Sequence, residues 1–240
     1  MLTWTGPAAG SHEPAFQIAF GLKGTIPIRP YRSSDTAVSS SVEAAERHTT
    51  YDRILAAALE GFAREGAAAT SIRDVAAAAG VSPGLVQHYF PSKAALRAAV
   101  DDHVTAVARA ALAVRRVEGD IVEDLAERLT ALVADHFVAL RYVARGVAER
   151  DEAAMTIFDT LTQLCREQLA ELQRRGMLRA DLDLEWAALH TVLINLGTVI
   201  MEPGVSRQLR RPFLTKPQVR RWKEATTALF VSGELRQDDL

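Results

Sequence analysis

Residues 70–90 read TSIRDVAAAAGVSPGLVQHYF, and their spacing decides the fold. Ser71-x-x-Asp74 is a capping-box spacing, in which each side chain satisfies the other residue's free backbone N–H at the start of a helix. Ile72, Val75, Ala76 and Ala79 then recur on one helical face. Gly80 stops this helix, because glycine enters the left-handed conformation without a steric penalty. Two residues later Ser82 caps another helix. Pro83 stands at its first position, where a missing N–H costs nothing. Leu85, Val86 and Phe90 are its expected core residues, joined by Ile72 from the preceding helix, and Pro91 ends it. Two short helices joined by a tight, glycine-containing turn form a helix-turn-helix.

The flanking segments are helical as well. Ile54, Leu55, Ala58, Leu59 and Phe62 form the apolar stripe of a helix expected from Thr49, with Gly66 after its end. Ser92 caps a fourth helix, which carries Leu96, Val100, Val104 and Val107. Further helices are expected over about 120–136, 137–148, 151–175, 184–201 and 217–231, with Glu202-Pro203-Gly204 read as a break. The fold class is therefore all-α, with about nine helices: a three-helix helix-turn-helix head at 49–100 and a helical body at 101–240. Residues 1–48 lack helical or strand periodicity and hold Pro7, Pro14, Pro27, Pro30 and a serine cluster, so they read as a disordered tail. An arm laid along DNA through Arg29 and Arg32, or a start codon set too early, are the other readings of that segment.

Composition narrows the class. The 240 residues are 48% hydrophobic and 24% charged, as in an ordinary globular protein. A single cysteine excludes a disulfide framework and a cysteine-based zinc site, and suits a reducing cytoplasm. The longest apolar run, 186–201, is interrupted by His190, Thr191, Asn195 and Thr198 and is too short to span a bilayer, so no membrane association is expected. The net charge of -2 shows no global basic excess. It is unevenly spread, however. Residues 49–100 hold five basic and four acidic side chains, and no acid occurs from Ser82 to Arg97. That local sign suits a DNA-binding head on a neutral-to-acidic body. Ser82, Pro83 and Gly84 leave the start of the third helix nearly free of side-chain bulk, where a duplex can approach.

The stretch 49–100 resembles the DNA-binding domain of the tetracycline-repressor (TetR) family. The resemblance rests on Ile54 to Phe62, on residues 70–76, on Ala79-Gly-Val-Ser82, Gly84-Leu85 and His88-Tyr89-Phe90, and on Pro91-Ser-Lys93 with Leu96. It implies a dimeric repressor that leaves its operator when a small molecule binds the body. It also implies site residues. Thr70 and Arg73 match phosphate-contact positions, as do His88, Tyr89 and Lys93. Ser82, Pro83, Gly84 and Gln87 match the exposed face of the recognition helix. Gln87 is the expected base reader, since its amide can pair bidentately with adenine. Pro83-Gly84 with Val86 departs from the longer polar residues of many relatives, which shifts weight from base contacts to DNA shape.

The body is less diagnostic. An effector pocket is expected among His136, Phe137, Tyr142, Met155, Phe158, Leu161 and Cys165, although residues at this spacing also suit a plain core. Cys165 reads as a small buried hydrophobe, and His190 and Asn195 as satisfied interface polars. The helix 184–201 is apolar nearly all round, so one monomer can hardly cover it. A four-helix dimer seam with 217–231 (Val219, Trp222, Ala225, Leu229, Phe230) follows. The run Arg207 to Lys223 holds seven basic residues and no acid and reads as a solvated loop, or else as an anion or partner site. No cofactor, metal or catalytic residue is expected, for no metal-ligand spacing, nucleophile elbow or phosphate loop is present. The expectation is a cytoplasmic, effector-responsive repressor of a near-palindromic duplex operator. An activator, a nucleoid-type DNA-binding protein or a small helical enzyme are the alternatives.

Overall fold

The structure is a computed structural model describing the backbone of residues 39–113 and 121–234, with side chains over 49–113 and 124–229. These residues form ten α-helices and no β-strand: α1 (Ser39–Glu65), α2 (Ile72–Ala79), α3 (Pro83–Tyr89), α4 (Lys93–Leu112), α5 (Ile121–Asp135), α6 (Phe137–Ala148), α7 (Glu152–Arg174), α8 (Leu184–Ile200), α9 (Glu202–Leu209) and α10 (Lys216–Glu234).

The head assembles around α1. Its Ile54, Ala58 and Phe62 are buried and meet Val75 and Ala76 of α2, Val86 of α3 and Leu96 of α4 in one core. Full burial of a side chain such as Phe62 contributes about 1.5–3 kcal/mol. The local caps act as the spacing predicts. Ser71 accepts from the Asp74 N–H at 3.2 Å while the Asp74 carboxylate accepts from the Ser71 N–H at 2.8 Å. Gly80 holds φ +65° at the end of α2. Ser82 and Ser92 accept from the N–H groups of Leu85 and Ala95, at 3.2 and 3.1 Å.

The 20-residue α4 runs from the head into the body, burying Val100, Val104, Val107 and Leu112. Its last carbonyls are received by the body. Arg128 of α5 donates to the carbonyl of Ala113 at 3.0 Å, and Gln168 of α7 donates to that of Leu112 at 2.9 Å. A cation at a helix C-terminus is electrostatically favoured. Helix α7 packs against α4, α6 and α8, and α6 also packs against α1. The hydrophobic core therefore runs from head to body without a gap.

Several expectations change. Helix α1 starts at Ser39, so the last ten residues assigned to the tail are helical; residues 1–38 lie outside the described residues. Glu202-Pro203-Gly204 does not end the helical chain. It bends it by 73° and opens α9, because Pro203 falls in a first turn, where its N–H is not needed. The run Arg207 to Lys223 is not a loop either. It spans the end of α9, a turn closed by buried Phe213, and the first part of α10, where Lys223 pairs with Glu127 at 3.5 Å. Helix α10 packs on α5, with Val219 buried and Trp222 in a T-shaped contact with Phe213 at 6.0 Å. Two of the residues assigned to a dimer seam thus serve the protomer's own packing. Phe230 lies outside the described side chains. Among the described residues, no single helix is long and apolar enough to cross a membrane.

Candidate nucleic-acid interface

Helix α3 is seven residues long and buries only Val86. Ser82, Pro83, Gly84, Leu85, Gln87 and His88 are all exposed along it. Phe90 closes the helix against the core, and Tyr51 of α1 packs on it and on Tyr89 with ring centroids 5.0 and 6.2 Å away. The helix is held rigidly by its inner side and left bare on its outer one. A methyl group at Gly84 would meet nothing nearer than 4.0 Å, so the glycine is not needed for packing. It keeps the outer surface low.

Leu85, expected in the core, is instead 38% exposed beside Gln87 and His88. In so short a helix, Val86 alone fills the space under α3, and its neighbour is turned outward. Periodicity misplaces it because two adjacent apolar residues in seven do not say which one faces in. Its exposure gives the recognition face an apolar contact element that can meet a thymine methyl group in a major groove.

The basic side chains of the head divide by role. Arg53 of α1 donates to the Ala79 carbonyl and so caps α2 at the turn. Lys93 donates to the Ala68 carbonyl at 2.8 Å, bracing the α1–α2 connection, and retains two further donors. Arg97 is ion-paired with Asp151. Arg64 is paired with Glu65 at 2.9 Å. Arg73, by contrast, is exposed on α2 with no ion pair among the described residues, as a phosphate-contact role would require. Thr70 is turned inward: it is 2% exposed, and its hydroxyl donates to the Gly66 carbonyl at 3.0 Å. A bond four residues back along the chain, under cover of α1, satisfies the group that sequence matching places on phosphate. The geometry thus brings Arg73, Ser82, Pro83, Gly84, Gln87 and His88 to one outer surface with Leu85, leaves Tyr89 half-buried at its edge, and gives Thr70 and Lys93 structural bonds.

The head is tied to the body by polar contacts that periodicity could not show. Asp151 caps α7, accepting from the Ala154 N–H at 3.1 Å, and also holds Arg97 of α4. The Arg97 guanidinium keeps the Asp151 carboxyl below the usual carboxylate range, chiefly by hydrogen bonding. The Tyr142 hydroxyl of α6 donates to Asp101 at 2.6 Å, and burial pushes both of these groups up. Arg145 of α6 donates to the carbonyls of Arg64 and Glu65 at 2.9 and 3.1 Å, capping the end of α1.

In the body, a cleft of about 260 Å³ lies between α4, α5, α6, α7 and α8. Of the residues expected to line a pocket, Leu161 and Cys165 do so. Burial pushes the Cys165 thiol up to about 12, so it stays protonated. His136, Phe137, Tyr142, Met155 and Phe158 are not brought to this cleft: Tyr142 belongs to the head–body contact, its ring 6.4 Å from that of Phe62, and Met155 is 42% exposed. Asn195 and Thr191, expected at an interface, are buried and line the cleft instead.

Comparison with known proteins agrees with this arrangement. The family model for bacterial regulatory proteins of the tetR family matches residues 54–100. The chain is 33% identical over 135 residues to the HTH-type transcriptional regulatory protein RaaS of Mycobacterium tuberculosis, across 56% of this chain and 62% of that one. It therefore spans less than two thirds of that relative's length. It is 29% identical over 153 residues to the HTH-type transcriptional regulator CymR of Pseudomonas putida, across 60% and 75% of the two chains. A structure solved in work on the control of antibiotic production by bacterial hormones aligns with a TM-score of 0.58 at 28% identity, covering 78% of this chain and 98% of that one. These relatives are transcriptional regulators, not enzymes. With the helix-turn-helix geometry, its caps and this match in place, the chain belongs to the tetR family of bacterial regulatory proteins.

Proposed function

We propose that the protein is a cytoplasmic, dimeric DNA-binding transcriptional regulator that represses from a near-palindromic operator and is released by a small-molecule effector. The observation that carries the reading is the outer face of α3. Gly84, Leu85, Gln87 and His88 are exposed on a helix whose start, end and inner face are all fastened. In a complex, Gln87 and Leu85 address base edges, and Arg73 and His88 address phosphates, with Lys93 free to add its remaining donors. Phosphate contacts position the head, and base contacts specify the sequence.

Helix α8 supports the dimer. Trp186, Leu193 and Ile200 are exposed at 57%, 50% and 43%, with exposed His190 and half-buried Gly197 between them. Their spacing of four, three, four and three residues is that of a helix seam. A second copy presents the same stripe, so a two-fold pairing buries both. Exposed Leu229 on α10 extends the patch. Two heads on such a dimer reach successive major grooves about 34–36 Å apart. The effector enters the body, and its binding favours one head spacing over the other.

The test is footprinting of an inverted repeat beside the gene, with and without candidate effectors. Protection of both half-sites that is lost with an effector is the expected result. Protection that never extends beyond one half-site, or none, overturns the reading.

A further inference from the structure

The cleft in the body carries one polar feature that nothing in the fold explains. Asn195 is 5% exposed, and its side-chain N–H donates to the Thr191 carbonyl at 2.7 Å, while its Oδ1 has no hydrogen-bond partner among the described residues. The orientation of the amide is set by that bond, because reversing it would press two carbonyl oxygens together. The unmatched end is therefore an acceptor. The Thr191 hydroxyl beside it already donates to the Ala187 carbonyl at 2.9 Å, so it too offers only lone pairs. The remaining walls are apolar, including Leu112, Leu140, Leu161 and Cys165, and among the described residues no charged side chain lines the cleft. A second copy of the chain does not reach Asn195. It lies two residues, or about 200° of helix, from Leu193 on the exposed seam.

Resting on the reading that the body binds an effector, we infer that this cleft takes a small, uncharged, largely apolar molecule whose single hydroxyl or N–H donates to Asn195 Oδ1. A buried acceptor without a partner is costly, and a donor brought in by a ligand removes that cost. A carboxylate or phosphate is disfavoured, since the polar corner holds acceptors only and no cation. An ammonium is disfavoured by the absence of a counter-charge.

Phenol and toluene are nearly isosteric probes that differ in the donor, and calorimetric titration of the full chain compares them. Wild-type protein is expected to bind both. Asn195→Leu is expected to weaken phenol by about tenfold while toluene stays within about twofold, as loss of one hydrogen bond implies. Equal change for both probes, or no binding of either, overturns the assignment. Should the variant fail to fold, the wild type still decides. Phenol seated in the cleft must slow modification of Cys165 by a small thiol reagent, and an unchanged rate sinks the proposal. The two readings fail separately. A chain that protects no operator ends the regulator reading and leaves the probe result standing. Effector release that is unaltered in Asn195→Leu ends the Asn195 assignment alone.

Discussion

Arg97, in the second turn of the helix that leaves the head, is ion-paired with Asp151, the residue that caps the first helix turn of α7. The same carboxylate thus satisfies an unmet N–H group of one helix and anchors another helix's cation. Asp151→Ala removes both bonds and is expected to lower stability by about 1–2 kcal/mol, within the range for a lost N-cap. Asp151→Asn keeps the cap and should cost less. The carboxyl is held below its usual range, so its contribution is present above the unfolded value of about 3.9 and is lost as pH falls through the folded one. Urea melts of the two variants at neutral and acid pH check the order.

Gly146 marks the closest crossing of α6 and α7. A Cβ there would stand 2.4 Å from the Cβ of Ala154, which real atoms do not tolerate. Gly146→Ala should destabilise by about 1–3 kcal/mol through overpacking. Ala154→Gly added to it should recover part of that loss by removing the opposing atom. A single variant as stable as the wild type in thermal melts would show that the two helices can simply part.

On the recognition face, Gln87→Ala and Leu85→Ala are expected to reduce discrimination between operator and unrelated DNA, each by about 1–3 kcal/mol if it meets a base edge. Arg73→Gln should weaken all sequences alike and lower the salt slope by about one unit. Binding isotherms across a salt series separate the two behaviours. A Leu85→Ala variant with unchanged discrimination would return that residue to a passive role.

Leu193→Asp places a charge in the middle of the α8 seam. Sedimentation at micromolar concentration is expected to show a monomer, with operator affinity falling along with it. A dimer that persists would move the interface away from α8.

His103 and His136 face each other across the packing of α4 on the α5–α6 corner, with Asp52 of α1 also acting on His103. Burial holds both imidazoles below their ordinary value of 6.5. Their neutral forms are therefore preferred in the folded state. Stability is fully present above pH 6.5 and is lost as pH falls below it, because the unfolded chain binds the protons first. Replacing both residues with Gln should flatten the acid limb of a melting-temperature profile. An unchanged limb would assign it to carboxylates such as Asp151.

The head is largely legible in the order of its residues. Ser71 with Asp74, Gly80, Ser82 with Pro83, and Ser92 act within three or four residues of themselves, so their spacing alone states where α2, α3 and α4 begin and where α2 ends. Pro203 misleads for a related reason: proline breaks a helix interior but is welcome in a first turn, and only the 73° bend shows which applies. The first ten residues of α1 escape a reading of the sequence because they lack the apolar periodicity that marks a helix.

The succession of helices and the identity of the helix-turn-helix follow from the chain alone, since caps, turns and periodic stripes are short-range chemistry. Which way each side chain faces is settled only when the helices pack. Leu85 is exposed because Val86 fills the space beneath α3. Thr70 and Lys93 are drawn into backbone bonds with the α1–α2 connection. Asn195 points an unmet oxygen at a cleft instead of at an interface. These outcomes depend on groups from several helices meeting at one point, and no pattern along a single segment carries that information.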